Sequence, residues 1–114
     1  MPFINTKVSV KITPEQEKIL KTQLGKAISV IRGKSESWLM LNFEDNCRMY
    51  FHGENSEPIA FVEVKIYGKA SSQEYSQLTE LITDIIYKIL QIAPNNIYIK
   101  YEEAEYWGYN GFNF

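Results

Sequence analysis

The chain has 114 residues, which predicts a single domain with a modest hydrophobic core. Hydrophobic residues make up 45% and charged residues 23%, a globular composition that argues against disorder. A formal charge of −2 and a pI near 5.4 give no electrostatic reason to expect nucleic acid, and no apolar run is long enough to predict a membrane span.

The N-terminus begins Met1-Pro2 and continues into residues 3–10, an alternating, β-rich segment that predicts a strand. Removal of Met1 would leave Pro2 with a secondary amine. If apolar groups and a cation surround that amine, its pKa falls and it becomes a usable general base at neutral pH. The dipeptide alone is a weak indication, because Met-Pro starts are common. The same region lacks the basic and apolar segments of a signal peptide.

The first helix is predicted to follow a capping box. Thr13 supplies the N-cap, Pro14 the first helical position and Gln16 the third. Apolar residues then recur at helical spacing, at Ile19, Leu20, Leu24, Ala27, Ile28 and Ile31. Gly33 ends the helix. Residues 38–43 predict a second strand, residues 49–51 a short extension, and residues 52–58 a polar turn.

The second half repeats this order. Residues 59–67 predict a strand that Gly68 ends, and Ser71 with Glu74 predicts another capping box. A helical stripe follows, at Leu78, Leu81, Ile82, Ile85, Ile86, Ile89 and Leu90. Residues 97–101 predict the last strand. The spacing from cap to following strand is 25 residues in the first half and 26 in the second, which indicates duplication of one unit.

Two β-α-β units side by side predict an α+β fold: a two-layer sandwich of one four-stranded mixed sheet with both helices on one face. The whole chain, residues 1–114, forms one domain with pseudo-repeats at residues 2–45 and 59–103. Alternating apolar residues could face either side of the sheet, at Val8, Val10, Leu39, Leu41, Val62 and Val64. Because two helices cover one face only, we expect a partner on the other face, and therefore an oligomer.

Aromatic residues make up 14% of the chain and crowd its C-terminal end. They are Tyr98, Tyr101, Tyr106, Trp107, Tyr109, Phe112 and Phe114. Aromatic side chains bury a large area and are enriched at interfaces and ligand pockets. We therefore expect this end of the chain to dock against another surface.

Four features occur together and in order: Met1-Pro2 before a strand, Gly33-Lys34 after the first helix, Ile-Tyr-Ile at residues 97–99, and the aromatic residues 107–114. Across the whole chain, this set resembles the macrophage migration inhibitory factor family of the tautomerase superfamily. The resemblance implies a homotrimer with active sites between subunits. It also implies keto–enol tautomerisation of phenylpyruvate-like α-keto acids, without a metal or a cofactor.

The resemblance assigns roles to individual residues. Pro2 matches the catalytic proline, which moves a proton between carbon and the carbonyl side of the substrate. Lys34 matches the lysine that holds the substrate carboxylate and lowers the proline pKa; the alternative is a solvated lysine after a helix. Tyr98 matches a pocket tyrosine from the neighbouring subunit, with a core aromatic as its alternative. Trp107, Tyr109 and Phe114 match the aromatic wall around the substrate, and plain interface packing is the alternative.

Two positions depart from the family pattern. Tyr67, in Ile66-Tyr67-Gly68, stands where relatives often carry isoleucine, so its backbone N–H can still face the substrate while its ring changes the pocket mouth. Lys100 stands where asparagine is common, on the same strand face as Tyr98. It is predicted either to bind the substrate carboxylate as a second cation or to pair with Glu102 or Glu103.

The remaining polar residues predict no other chemistry. Residues 59–62 lack the Cys-x-x-Cys pair of some relatives, which excludes thiol redox activity there. Cys47, the one cysteine, cannot form an internal disulfide, and this predicts a cytoplasmic protein; any secretion would proceed without a signal peptide. His52 is predicted to lie on a polar turn, and Glu102, Glu103 and Glu105 in a solvated acidic turn. No residue cluster predicts a metal site.

Two other functions compete with a tautomerase. The family includes cytokines, so the chain could be a signalling ligand that binds a receptor after export, with a secondary pocket. It could also be a trimeric scaffold, and a retained Met1 would favour that, because it blocks the Pro2 amine.

Overall fold

The computed structural model describes residues 1–114 as a four-stranded sheet, two α-helices and a small C-terminal hairpin. In chain order the elements are β1 (Pro2–Val8), α1 (Pro14–Ala27), β2 (Met40–Glu44), β3 (Ala60–Tyr67), α2 (Ser72–Leu90), β4 (Ile97–Ala104), β5 (Gly108–Tyr109) and β6 (Phe112–Asn113). Short 3₁₀ turns lie at Ile28–Val30, Glu36–Trp38 and Pro94–Asn96. No helix combines the length and the apolar character that crossing a bilayer requires.

The sheet has the order β2-β1-β3-β4. Strands β1 and β2 are parallel, as are β3 and β4, while β1 and β3 meet antiparallel at the centre. Both helices contribute to one core with the alternate residues of β1 and β3 that point towards them. The predicted mixed sheet with two helices on one face is confirmed, because each β-α-β unit keeps its strands parallel.

Both predicted capping boxes are present. Thr13 Oγ1 accepts a hydrogen bond from Gln16 N at 3.1 Å, and Gln16 Oε1 accepts one from Thr13 N at 3.0 Å. In α2, Ser71 Oγ and a Glu74 carboxylate oxygen make the same reciprocal pair, at 3.1 and 2.8 Å. These bonds satisfy amide groups that the first helical turn leaves unpaired.

The alternating apolar residues lie on the helix side of the sheet. Val8, Val62 and Val64 are buried in the core, and Leu39 and Leu41 pack against it. Within the helical stripes, Ile19 and Leu81 are the exceptions, because they remain exposed at the stripe margins.

The opposite face of the sheet is mixed: polar residues share it with Phe3, Met40, Phe61 and Tyr98, and both Met40 and Tyr98 are exposed. Asn42 Nδ2 donates to Asn5 Oδ1 at 2.9 Å, and Lys7 pairs with Glu63 at 3.4 Å. No helix covers this face, and the expectation of a partner there stays a prediction.

Several predicted boundaries differ in the structure: β1 ends at Val8 instead of residue 10, and α1 ends at Ala27, before the predicted end at Gly33, because a 3₁₀ turn follows. Strand β2 begins at Met40, because Trp38 ends a 3₁₀ turn. Residues 49–51 form no strand extension and make one isolated bridge, between Phe51 and Glu54. Glu102 and Glu103 lie in β4 and not in the predicted acidic turn, and Glu103 accepts hydrogen bonds from the Tyr75 hydroxyl at 2.6 Å and from Ala70 N at 3.2 Å.

The C-terminal aromatic segment folds into the hairpin β5–β6, which the sequence reasoning missed. Asn110 and Gly111 connect the strands with φ values of 54° and 84°. Two successive positive φ angles are typical of the type I′ turn, for which Asn-Gly is the preferred pair. Phe114 N donates to Trp107 O at 3.0 Å and closes the hairpin.

Candidate active site

The start of β1 and the end of β3 meet at one end of the sheet. Pro2 pairs with Ile66 in the β1–β3 register and is buried. The next residue of β3, Tyr67, donates its backbone N–H to the Met1 carbonyl oxygen at 3.0 Å. The N-terminal residues are therefore held by sheet hydrogen bonds rather than left as a free tail.

Lys34 reaches this end of the sheet from the turn after α1. Lys34 N donates to Ile31 O at 3.0 Å, and Gly33 supplies the positive φ of 82° that such a turn requires. The Lys34 ammonium then donates to the Tyr67 carbonyl oxygen at 2.9 Å. One residue of β3 thus contacts both the N-terminal peptide and the lysine.

The electrostatic environment favours a neutral amine at the N-terminus. Burial, and then the positive charge of Lys34, lower the pKa of the Met1 α-ammonium. Burial penalises the charged form of the amine, and a neighbouring cation repels it. This shift is that of the Met1 amine, since the Pro2 nitrogen is an amide while Met1 is present, and the Pro2 base stays a prediction.

A row of aromatic rings extends from Tyr67 along the hairpin. The Tyr67 and Phe114 ring centroids are 5.6 Å apart, and Phe114 stacks on Tyr109 at 6.3 Å with an interplanar angle of 8°. Tyr109 in turn meets the edge of Trp38 at 5.2 Å. Of the predicted wall residues, Phe114 therefore packs on Tyr67, and Tyr109 packs on Phe114 and Trp38, whereas Trp107 contributes the backbone bond that closes the hairpin.

Trp38 is the member of this row that sequence reasoning missed. The sequence predicts a strand that begins at Trp38, because an aromatic side chain is typical of β structure. Its position indicates a place in the site, because Trp38 follows Lys34 by four residues in the segment after the Gly33 turn.

Two predicted site residues lie elsewhere in the chain. Tyr98 pairs with Phe61 of β3, whereas Pro2 pairs with Ile66, five residues further along the same strand. About 16 Å of strand therefore separates Tyr98 from Pro2. Tyr98 is 59% exposed and packs edge-on against Phe51 at 5.0 Å. An apolar hollow of about 250 Å³ lies beside it, lined in part by Phe51 and Phe61. Tyr98 and Pro2 of one chain therefore cannot line the same pocket.

Lys100 points from the open face of the sheet and forms an ion pair with Glu102 at 2.9 Å. This is one of the two alternatives predicted for it. The pair raises the Lys100 pKa through a hydrogen bond and charge attraction. Because the ammonium is already neutralised by a carboxylate, binding a substrate carboxylate would require exchange of that partner.

The other candidate residues are not arranged for metal binding or nucleophilic catalysis. No group of three or more His, Cys, Asp or Glu side chains could hold a metal ion. Cys47 makes a weak hydrogen bond to the Glu44 carbonyl oxygen at 3.4 Å. His52 is exposed on its turn and contacts Phe51, with ring centroids 4.0 Å apart and an interplanar angle of 41°.

Comparisons with known proteins cover the whole chain. The sequence model described as macrophage migration inhibitory factor matches residues 1–114. The crystal structure of Leishmania major MIF2 aligns with a TM-score of 0.92 at 31% identity, over 100% of this chain and 97% of that one. A homologue from Prochlorococcus marinus aligns at 0.86 and 32% identity, over 98% of each chain. Xenopus laevis macrophage migration inhibitory factor is 29% identical over 97 residues, 83% of this chain and 84% of that protein.

Proposed function

The chain belongs to the macrophage migration inhibitory factor family of the tautomerase superfamily, and on that premise we propose that it is a cofactor-free keto–enol tautomerase acting on phenylpyruvate-like α-keto acids. The observation that carries the proposal is the position of Lys34. Its ammonium lies beside the N-terminal residues and, after burial, lowers the pKa of the Met1 amine; the same cation would act on the Pro2 amine once Met1 is removed. A neutral amine next to a fixed cation can abstract a proton from a bound carboxylic acid anion.

In the proposed reaction, the mature chain begins at Pro2. Its secondary amine removes a proton from the carbon next to the substrate ketone, and the electron pair moves to the carbonyl oxygen. The same amine then returns the proton to that oxygen, which completes the enol; the reverse order converts enol to ketone. Lys34 binds the substrate carboxylate, and the ring row from Tyr67 to Trp38 contacts the aromatic group.

Met1 has two effects on this site that its removal would reverse. As long as Met1 is present, the nitrogen of Pro2 is an amide and cannot act as a base. In addition, the Met1 carbonyl oxygen accepts the hydrogen bond from Tyr67 N. Loss of Met1 would therefore produce the base and free a backbone donor for a substrate oxygen, the role predicted for position 67.

The proposed active form is a homotrimer with sites between subunits. Support comes from the separation of Tyr98 from Pro2 within one chain, because a neighbouring subunit must then supply the tyrosine. Lys100 lies on the same strand face and would come from the same neighbour. Light scattering that gave only a monomer at assay concentration would contradict this assembly.

The direct test compares phenylpyruvate ketonisation by the wild type with that by Pro2→Gly. Intact mass spectrometry first establishes whether Met1 has been removed from each protein. Proton transfer by a positioned group contributes about 10²–10⁴-fold, so we expect a rate loss in this range. A chain carrying one extra residue before Pro2 is the matched control, because it keeps every side chain but lacks the amine. Equal rates for the wild type and Pro2→Gly would remove Pro2 from the mechanism.

The alternative function is that of a secreted, cytokine-like ligand, and the names of the relatives support it. Receptor binding that survives Pro2→Gly, together with protein detected outside intact cells, would favour this function.

We propose a cytoplasmic location for the tautomerase.

A further inference from the structure

Glu74 uses its two carboxylate oxygens for different purposes. Oε1 accepts a hydrogen bond from Ser71 N at 2.8 Å and completes the capping box of α2. Oε2 accepts one from Arg32 N at 2.7 Å, which lies in the turn after α1, 42 positions away in the chain. Since a capping box needs only one acceptor oxygen, the second contact is additional to helix capping.

The bond to Arg32 ties down the turn that presents Lys34. On one side of the turn, Ile31 is buried in the core. On the other side, Lys34 N bonds back to Ile31 O, and Gly33 between them has the freedom of a residue without a side chain. Within this four-residue turn, the amide of Arg32 makes the backbone contact with α2, a separate element of the fold.

We propose that Glu74 is a positioning residue for Lys34. Its carboxylate holds the Arg32 amide and thereby fixes the turn. The turn in this position directs the Lys34 ammonium to Tyr67 and to the substrate carboxylate. The inference rests on the proposed function insofar as Lys34 binds substrate. The charge of Glu74 strengthens both of its hydrogen bonds, since bonds to an ionised acceptor are shorter and stronger than neutral ones.

Two variants separate this role from simple helix capping. Ser71→Ala removes the hydroxyl that caps α2 and leaves the Glu74 carboxylate in place. Glu74→Ala removes both its cap contact and its bond to Arg32. We expect urea denaturation to show both variants as less stable than the wild type. Only Glu74→Ala should raise KM for phenylpyruvate, by roughly three- to tenfold with kcat little changed, as expected for one lost hydrogen bond that orients the binding group.

A second measurement does not depend on turnover. Lys34 lowers the pKa of the N-terminal amine, so displacement of its ammonium should raise that pKa. Loss of the Glu74 negative charge alone would change the pKa in the opposite direction, and a rise in Glu74→Ala therefore reports movement of Lys34. Titration of the N-terminal amine by NMR, together with faster hydrogen exchange at the Arg32 amide, tests this directly. We expect neither change in Ser71→Ala.

The two proposals fail in different ways. A wild type with no tautomerase activity would overturn the proposed function, while amine titration and amide exchange would still decide whether Glu74 positions Lys34. If the amine pKa of Glu74→Ala did not rise above that of Ser71→Ala, the positioning role would be wrong, whatever the activity and the Arg32 exchange rate.

Discussion

Replacement of Lys34 by methionine tests the proposed site at its cation. Lys34→Met keeps an unbranched side chain of similar reach and removes the ammonium. In the structure this ammonium donates one of its three hydrogens to the Tyr67 carbonyl oxygen. Two donors remain for a substrate carboxylate, so the substitution removes a charged, bidentate contact without deleting the aliphatic packing.

The size of the effect follows from the environment of Lys34. Hydrogen bonds to charged groups contribute about 1.5–3 kcal/mol. Lys34 is half-buried, so solvent screens part of its charge, and we take the lower part of that range. At about 1.4 kcal/mol for each factor of ten, kcat/KM for phenylpyruvate should fall roughly ten- to thirtyfold.

The pH dependence provides a second, independent observation. The base must be neutral in the free enzyme, so kcat/KM rises with pH through the pKa of the N-terminal amine. Lys34 lowers the pKa of the amine at the N-terminus because two neighbouring cations repel each other. Without Lys34 the amine pKa is higher, and the acid limb of the profile should move to higher pH.

The assay is ketonisation of phenylpyruvate measured from about pH 5 to pH 9, on both sides of the ordinary α-amino pKa of about 7.7–8.0. Lys88→Met is the matched control, since Lys88 lies exposed on α2 and pairs with Asp84. It should leave both kcat/KM and the acid limb unchanged. A Lys34→Met enzyme with kcat/KM within twofold of the wild type and an unmoved acid limb would refute the assignment of Lys34.

Three further predictions concern other parts of the chain. Thr6 is 1% exposed and its hydroxyl has no hydrogen-bond partner. Thr6→Val should therefore raise the free energy of unfolding by about 1–2 kcal/mol, and an unchanged urea midpoint would contradict this. Phe51 packs edge-on against Tyr98, the tyrosine proposed to serve a neighbouring site, and such a contact contributes about 0.5–1.5 kcal/mol. Phe51→Leu should therefore raise KM for phenylpyruvate about two- to tenfold, and an unchanged KM would show that Phe51 does not support substrate binding. Lys100 forms an ion pair with Glu102. Lys100→Ala should therefore change kcat/KM by less than about threefold, and a larger loss would show that Lys100 binds the substrate carboxylate as a second cation.

Local features of the fold were predictable because short-range chemistry determines them. The capping boxes at Thr13 and Ser71 depend on side chains and amides three residues apart, and both formed as expected. The two parallel strand pairs follow from β-α-β connections, whose length and order are visible in the chain. In the site, the proximity of Lys34 to the N-terminus followed from a family resemblance, and the structure brings the two together within one chain.

Other features depended on contacts between residues distant in sequence, which no local pattern encodes. Alternation placed the valines of β1 and β3 on one common face, but only packing against α1 and α2 decided that this face is the core. Trp38 has a strand-forming side chain, yet it joins the aromatic row because the C-terminal hairpin brings Tyr109 to it.

By itself, the sequence determined the two β-α-β units, their helix caps and the end of β3 before Gly68, since these depend on hydrogen bonds and dihedral angles within a few residues. Only the tertiary structure decided that Glu74 reaches Arg32, that Lys34 reaches Tyr67, and that Tyr98 stands at a level of the sheet remote from Pro2. These relations depend on how the two units pack and pair across β1 and β3, and that long-range arrangement has no signature in any short segment.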